Sequence, residues 1–178
     1  CMESWSATSA KAGNGLELLR DGRLDTYWQS EGLQPHLISI QFNQRMLLSE
    51  LHLLLDFKQD ESYTPTRISI RAGTSHGDLK EIKVVEIHEP TGWISFALGT
   101  SPLCEPSAQG QAEPGTTHLE PLQAFLLQLA VLTNHQNGRD SHIRGIRVYG
   151  PMGDHLQAML GMPLAVTTPE FAMYAMAR

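Results

Sequence analysis

Apolar and polar residues alternate with period two along several stretches of the chain, the pattern of strands buried on one face. In "HLISIQF" (36–42), Ile38, Ile40 and Phe42 share a side, opposite Ser39 and Gln41. In "LSELHLLLDF" (48–57), Leu51, Leu53, Leu55 and Phe57 point inward against Glu50, His52 and Asp56. "TRISIRAG" (66–73) sets Ile68, Ile70 and Ala72 against Arg67, Ser69 and Arg71, and "EIKVVEIHEP" and "GWISFAL" follow, divided by Pro90 and Gly92. "AFLLQLAVL" (124–132) is apolar on both faces, as a central strand is, and "IRVYG" (146–150) closes the series. Helical periodicity is scarce: "GLELLRDG" (15–22) and "DHLQAML" (154–160) offer a short helix or turn each. Many short strands with turn-rich connections predict an all-β sandwich or barrel.

Two segments break the pattern. "GTSPLCEPSAQGQAEPGTTHLEP" (99–121) is rich in Pro, Gly, Ser and Thr, with too few apolar residues to offset the entropy of ordering it. It reads as a mobile insertion between strands. Residues 1–150 therefore form one domain, followed by a C-terminal extension over 151–178, where Gly153, Gly161 and Pro163 interrupt any regular element.

Composition narrows the function classes. A chain of 178 residues with 41% hydrophobic and 18% charged residues is of single-domain size and can bury its own core. The formal charge of −6 argues against general nucleic-acid binding, which needs a basic stripe to neutralise phosphates. The longest apolar runs fall short of the roughly 20 residues that span a bilayer, and "CMESWSATSA" lacks a basic-then-apolar secretion signal. Cys1 and Cys104, far apart and outside any C-x-x-C pair, read as free thiols of a nuclear or cytoplasmic protein, not as a disulfide or a zinc knuckle.

The densest polar run is "TNHQNGRDSH" (133–142). His135, Asp140, Ser141 and His142 contain the residue types of a nucleophilic triad, but no G-x-S-x-G elbow positions the serine. The two histidines are seven apart with no clustered Cys/His set, so no metal ligand set forms, and no cofactor motif is present. A calcium site using Asp21 or Asp25 has no ligand count behind it. Asp60 and Glu61 are adjacent, so in extended chain they diverge and make a poor acid/base pair. What remains is recognition by loops. "TYWQSEGLQPH" (26–36), "DFKQDESYTP" (56–65) and "TNHQNGRDSH" each border a predicted strand, and in a sandwich three such loops can build one rim. Trp28 and Tyr63 would supply rigid area, amides and hydroxyls adaptable hydrogen bonds, and Asn137-Gly138 a residue able to take positive φ. The competing reading places Trp28 in the core and leaves the polar residues as turn caps.

Four segments in order, "LRDGRLDTYWQSEGLQPHLISIQF", "DESYTPTRISIRAG", "EPTGWISFAL" and "QLAVLTNHQNGRDSHIRGIRVY", resemble the DOC domain, most closely the subunit-ten family of the anaphase-promoting complex. The resemblance runs from about residue 4 to 150. It implies a jelly-roll β-sandwich of the galactose-binding-domain-like class. It also implies a non-catalytic role in a ubiquitin ligase, as a co-receptor for destruction-box substrates beside a WD40 coactivator, promoting processive ubiquitination. The family's degron-facing surface maps onto Ser62, Tyr63, Asn134, His135, Asn137, Arg139 and Asp140, with Gln34 and His36 at its border. The family also ends in an Ile-Arg tail that docks on a tetratricopeptide-repeat scaffold subunit. Here Ala177-Arg178 stand in that place. The arginine is kept, while losing the isoleucine removes about 2 kcal/mol of burial at ~0.8 kcal/mol per CH2. A carbohydrate-binding sandwich module is the rival reading, although the loops are mainly amide, hydroxyl and imidazole where a sugar site would stack exposed aromatics.

Overall fold

Two antiparallel sheets, packed face to face, enclose the core. The structure, a computed structural model, describes residues 3–99 and 120–151. The helix expected at 154–160, most of the 99–121 insertion, both cysteines and Ala177-Arg178 lie outside the described residues.

The larger sheet has the order β1 (Glu3–Ala7), β3 (His36–Leu48), β8 (Leu122–Asn134), β5 (Pro65–Gly73) and β6 (Lys80–Glu86). The smaller sheet has the order β10 (Gly145–Tyr149), β4 (Glu50–Asp56) and β7 (Thr91–Ala97). A two-stranded ladder joins β2 (Trp28–Gln29) to β9 (His142–Ile143). Period-two patterning sets the register: Ile38 and Ile40 from β3, Leu127, Leu129 and Val131 from β8, and Ile68 and Ile70 from β5 face Leu51, Leu53 and Leu55 of β4, and all are buried. Slipping any of these strands by one residue would turn its apolar set to the other face. The strand read as central is central. β8 pairs with β3 on one side and β5 on the other, and its outward Leu126, Gln128 and Ala130 are as hidden as its inward residues.

Two expectations are corrected. Phe57 does not continue β4 inward: Asp56 ends the strand by accepting from the backbone N–H of Lys58 (3.0 Å) and Gln59 (3.4 Å), an N-cap that starts the one-turn helix α1 (Phe57–Asp60). As expected of a short helix or turn, "GLELLRDG" forms a 3-10 turn, Leu16–Leu19. Trp28 is not a rim residue; at 0% exposure it is core, beside Ile143 of the paired strand. Strand β1 carries no clear signal because its outward positions are serines and it is five residues long.

Candidate functional site

The three polar connections meet at one end of the sandwich. Loop 26–36 is tied to loop 133–142 by the Gln34 amide, which donates to Gly138 O (3.1 Å), and by His36 Nε2, which donates to Arg139 O (2.6 Å). Ser30 and Ser141 exchange two bonds: Ser30 N donates to Ser141 O (3.0 Å) and Ser141 N to Ser30 Oγ (2.7 Å). Loop 56–65 joins through His135 N, which donates to Thr64 O (2.9 Å). An ideal Cβ on Gly138 would lie 1.8 Å from Ser62 O.

That contact revises the role of Gly138. Its φ of −59° is open to any residue, so torsion does not require glycine there; the approach of Ser62 does. The left-handed residues are its neighbours, Gln136 (φ 53°) and Asn137 (φ 56°). The other non-glycine residues with positive φ among those described are Glu61 (φ 44°) in loop 56–65 and Glu89 (φ 38°). Glu89 lies close enough to His135 for its charge to act on that imidazole. Backbone strain is thus concentrated at this end, where such strain often serves binding. Residues 87–90 are a fourth border that sequence did not single out: the Phe57 N–H donates to Pro90 O (2.8 Å), and the Phe57 ring tilts against His135 at 4.6 Å.

The expected site residues divide by depth. Tyr63, Asn137 and Arg139 are exposed, and Ser62, Gln34, His135 and Asp140 are half-buried. Asn134 and His36 are buried beneath the loop. Asn134 donates through Nδ2 to Asp140 O (2.7 Å) and accepts the Ser141 hydroxyl on Oδ1 (2.9 Å). The Ser141 proton therefore rests on an amide oxygen and not on an imidazole. Burial lowers the pKa of His135, the nearby Glu89 charge opposing it, so this ring favours its neutral form.

Beneath the rim lies an ionic cluster that sequence did not reveal. Arg144 Nε and Nη2 donate to Asp60 Oδ2 (2.8 Å) and Oδ1 (2.7 Å), a bidentate fork, and His142 Nδ1 donates to Asp60 Oδ1 (3.1 Å). Burial pushes the Asp60 carboxyl up, but the hydrogen bonds from His142 and Arg144 outweigh it and hold the group below the usual carboxylate range. The His142 ring is sandwiched between Tyr27 (4.0 Å) and Tyr63 (4.2 Å). Asp21 and Asp25 are engaged locally: Asp25 receives an Arg23 fork (2.9 and 2.7 Å), and Asp21 accepts from Thr26 Oγ1 (2.7 Å). Among the described residues, no group of three or more His, Cys, Asp or Glu could hold a metal ion.

This arrangement suits binding by donors and acceptors held on a rigid frame. The family model for the anaphase-promoting complex, subunit 10, matches residues 2–176. The chain belongs to the anaphase-promoting complex subunit 10 family. The subunit 10 of Drosophila melanogaster is 46% identical over 152 residues, covering 85% of this chain and 70% of that protein. The subunit 10 of Homo sapiens is 42% identical over 170 residues, covering 96% and 82%. Among solved structures, the family 32 carbohydrate-binding module of C. perfringens NanJ in complex with galactose superposes with a TM-score of 0.60 at 14% identity, over 82% of this chain and 92% of that one. The family 32 module of AlyQ in complex with 4,5-unsaturated mannuronic acid gives 0.60 at 14%, over 83% and 95%. These likenesses establish the galactose-binding-like β-sandwich for this subunit 10 chain and extend no further than the fold.

Proposed function

We propose that this chain is a non-catalytic subunit of the anaphase-promoting complex, working in nucleus and cytoplasm, that captures destruction-box segments together with the WD40 coactivator. The observation that carries the proposal is the rim itself: Tyr63, Asn137 and Arg139 open to solvent on loops that Gly138, His36 and Asn134 pin from below. Such a surface offers hydrogen bonds and a ring face to an extended peptide. A second weak contact beside the coactivator's raises effective concentration and lengthens the substrate's residence, which favours several ubiquitin transfers per encounter. The mechanism asks no chemistry of this chain. The Ala177-Arg178 segment is assigned to docking on a tetratricopeptide-repeat scaffold subunit through the arginine.

The carbohydrate-binding rival rests on fold likeness at identities that carry no function. Trp28, expected on the rim, is buried and so offers no face for a sugar to stack on. A tagged copy expressed in its source cells should co-purify with the ligase's core subunits, and deleting Ala177-Arg178 should weaken that association. A destruction-box peptide bearing a photo-crosslinker, added to the complex, should label the Tyr63, Asn137 and Arg139 loops. Labelling confined to the outer face around Trp93, or selective capture on a glycan array, would overturn the degron reading.

A further inference from the structure

Asp60, Arg144 and His142 are themselves buried, yet all three rim loops converge on them. Asp60 ends α1 in loop 56–65 and is 5% exposed; Arg144 follows β9 and is 5% exposed; His142 lies in β9 and is 8% exposed. Arg144 reaches the third connection as well, donating through Nη1 to Leu24 O (2.9 Å) and lying over the Tyr27 ring at 5.4 Å. On the other side, Tyr63 lies almost parallel to the His142 ring, with planes 13° apart, and remains 40% exposed.

We propose that Asp60, Arg144 and His142 are positioning residues that set the plane and height of Tyr63, and so the affinity of the rim for its peptide. The inference rests on the degron reading above. A buried ion pair adds little stability that apolar packing would not match. This one adds direction. Two parallel N–H···O bonds fix the guanidinium and carboxylate in one plane. The shared Oδ1 then fixes the imidazole, and the imidazole is the floor on which Tyr63 lies. Tyr27 closes the stack from the far side, so the ring of His142 cannot tilt without displacing a tyrosine. The exposed ring face is thereby presented pre-ordered, with less freedom left to lose on binding.

A double-mutant cycle in the assembled complex, with a synthetic destruction-box peptide as the probe, separates positioning from general stability. Asp60→Asn should weaken peptide affinity about fivefold to tenfold, the size of coupling expected for residues in one network. In a Tyr63→Ala background the same change should cost little more, while its effect on melting temperature is the same in both backgrounds. Arg144→Lys, which keeps the charge and loses the fork, should reproduce the affinity loss. His142→Phe, which keeps a ring between the tyrosines but loses the bond to Asp60 Oδ1, should lose affinity as Asp60→Asn does. Additive losses for Asp60→Asn and Tyr63→Ala, or full affinity in His142→Phe, would overturn the proposal and leave the degron reading intact. Should Asp60→Asn fail to fold, His142→Phe decides alone. No affinity change on Tyr63→Ala would overturn both readings at that residue.

Discussion

Replacing Gly138 with alanine tests how the loops are held together. The new methyl would sit 1.8 Å from Ser62 O and 2.7 Å from Ser62 C, where contacts under 3.0 Å are essentially never seen. Loops 56–65 and 133–142 must therefore part by at least 1.2 Å, the gap between 1.8 and 3.0 Å. The obstacle is a backbone carbonyl, so no side-chain rotation relieves it. The bonds bridging the loops stretch first: His135 N to Thr64 O, now 2.9 Å, and the Gln34 amide to Gly138 O, now 3.1 Å. Two lost hydrogen bonds at about 1 kcal/mol each, with overpacking of roughly 1–3 kcal/mol, give a destabilisation of about 3–5 kcal/mol. For a chain of 178 residues that lowers the melting temperature by roughly 6–20 °C. Thermal and urea unfolding measure it, the urea midpoint falling with the slope unchanged. Asn137→Gly is the control: Asn137 has φ 56°, which glycine adopts freely, so this change should leave stability nearly unaltered. A Gly138→Ala protein melting within a degree of the parent would refute the reasoning, because the close approach to Ser62 would then not be what holds the rim.

Other changes separate frame from surface. Trp28→Ala, at a side chain with no exposure, should cost about 3–5 kcal/mol in denaturant unfolding. Arg139→Ala, on an exposed side chain whose carbonyl is what His36 holds, should shift stability by no more than about 0.5 kcal/mol while weakening peptide capture. Acid stability should fall as pH drops from the ordinary carboxylate value of 3.8 toward about 2, since the folded Asp78 carboxyl lies at about 2, held down by the Thr74 hydroxyl and the Ser75 N–H. The unfolded chain binds the proton first across that window, so folding loses there and is unaffected above it. Asp78→Asn should flatten the slope of melting temperature against pH. His135 contributes in a higher window: its folded pKa is depressed below 6.5, so its contribution is complete above 6.5 and is lost as pH falls through the folded value. His135→Gln should remove that component.

Much of the framework was legible because burial writes a period-two signal. β3, β4, β5 and β8 were readable from alternating Ile and Leu, and β8 as central from apolar residues on both faces. The signal failed where side chains do something other than bury a face. Asp56 ended β4 as a cap, so Phe57 left the strand although its apolar character fitted the pattern. Serines hid β1. At the rim, sequence placed the three polar loops together but not their depth. Trp28 fell to the core, Asn134 and His36 to the underside, because burial of a polar group depends on partners distant in sequence. The Asp60–Arg144 fork spans 84 residues, and no local pattern announces it. Gly138 looked like a torsional glycine beside Asn137, and only the fold brings Ser62 O against it.

The central claim is that this rim prolongs a substrate's stay on the complex. Single-encounter ubiquitination of a destruction-box substrate, with excess unlabelled competitor added at the start of the reaction, measures that stay as the number of ubiquitins added per binding event. Complexes carrying Ser62→Ala with Asn137→Ala, side chains whose removal leaves the Ser62 carbonyl contact with Gly138 in place, should assemble fully and add markedly fewer ubiquitins per event than the parent. Equal numbers from equally assembled complexes would contradict the account.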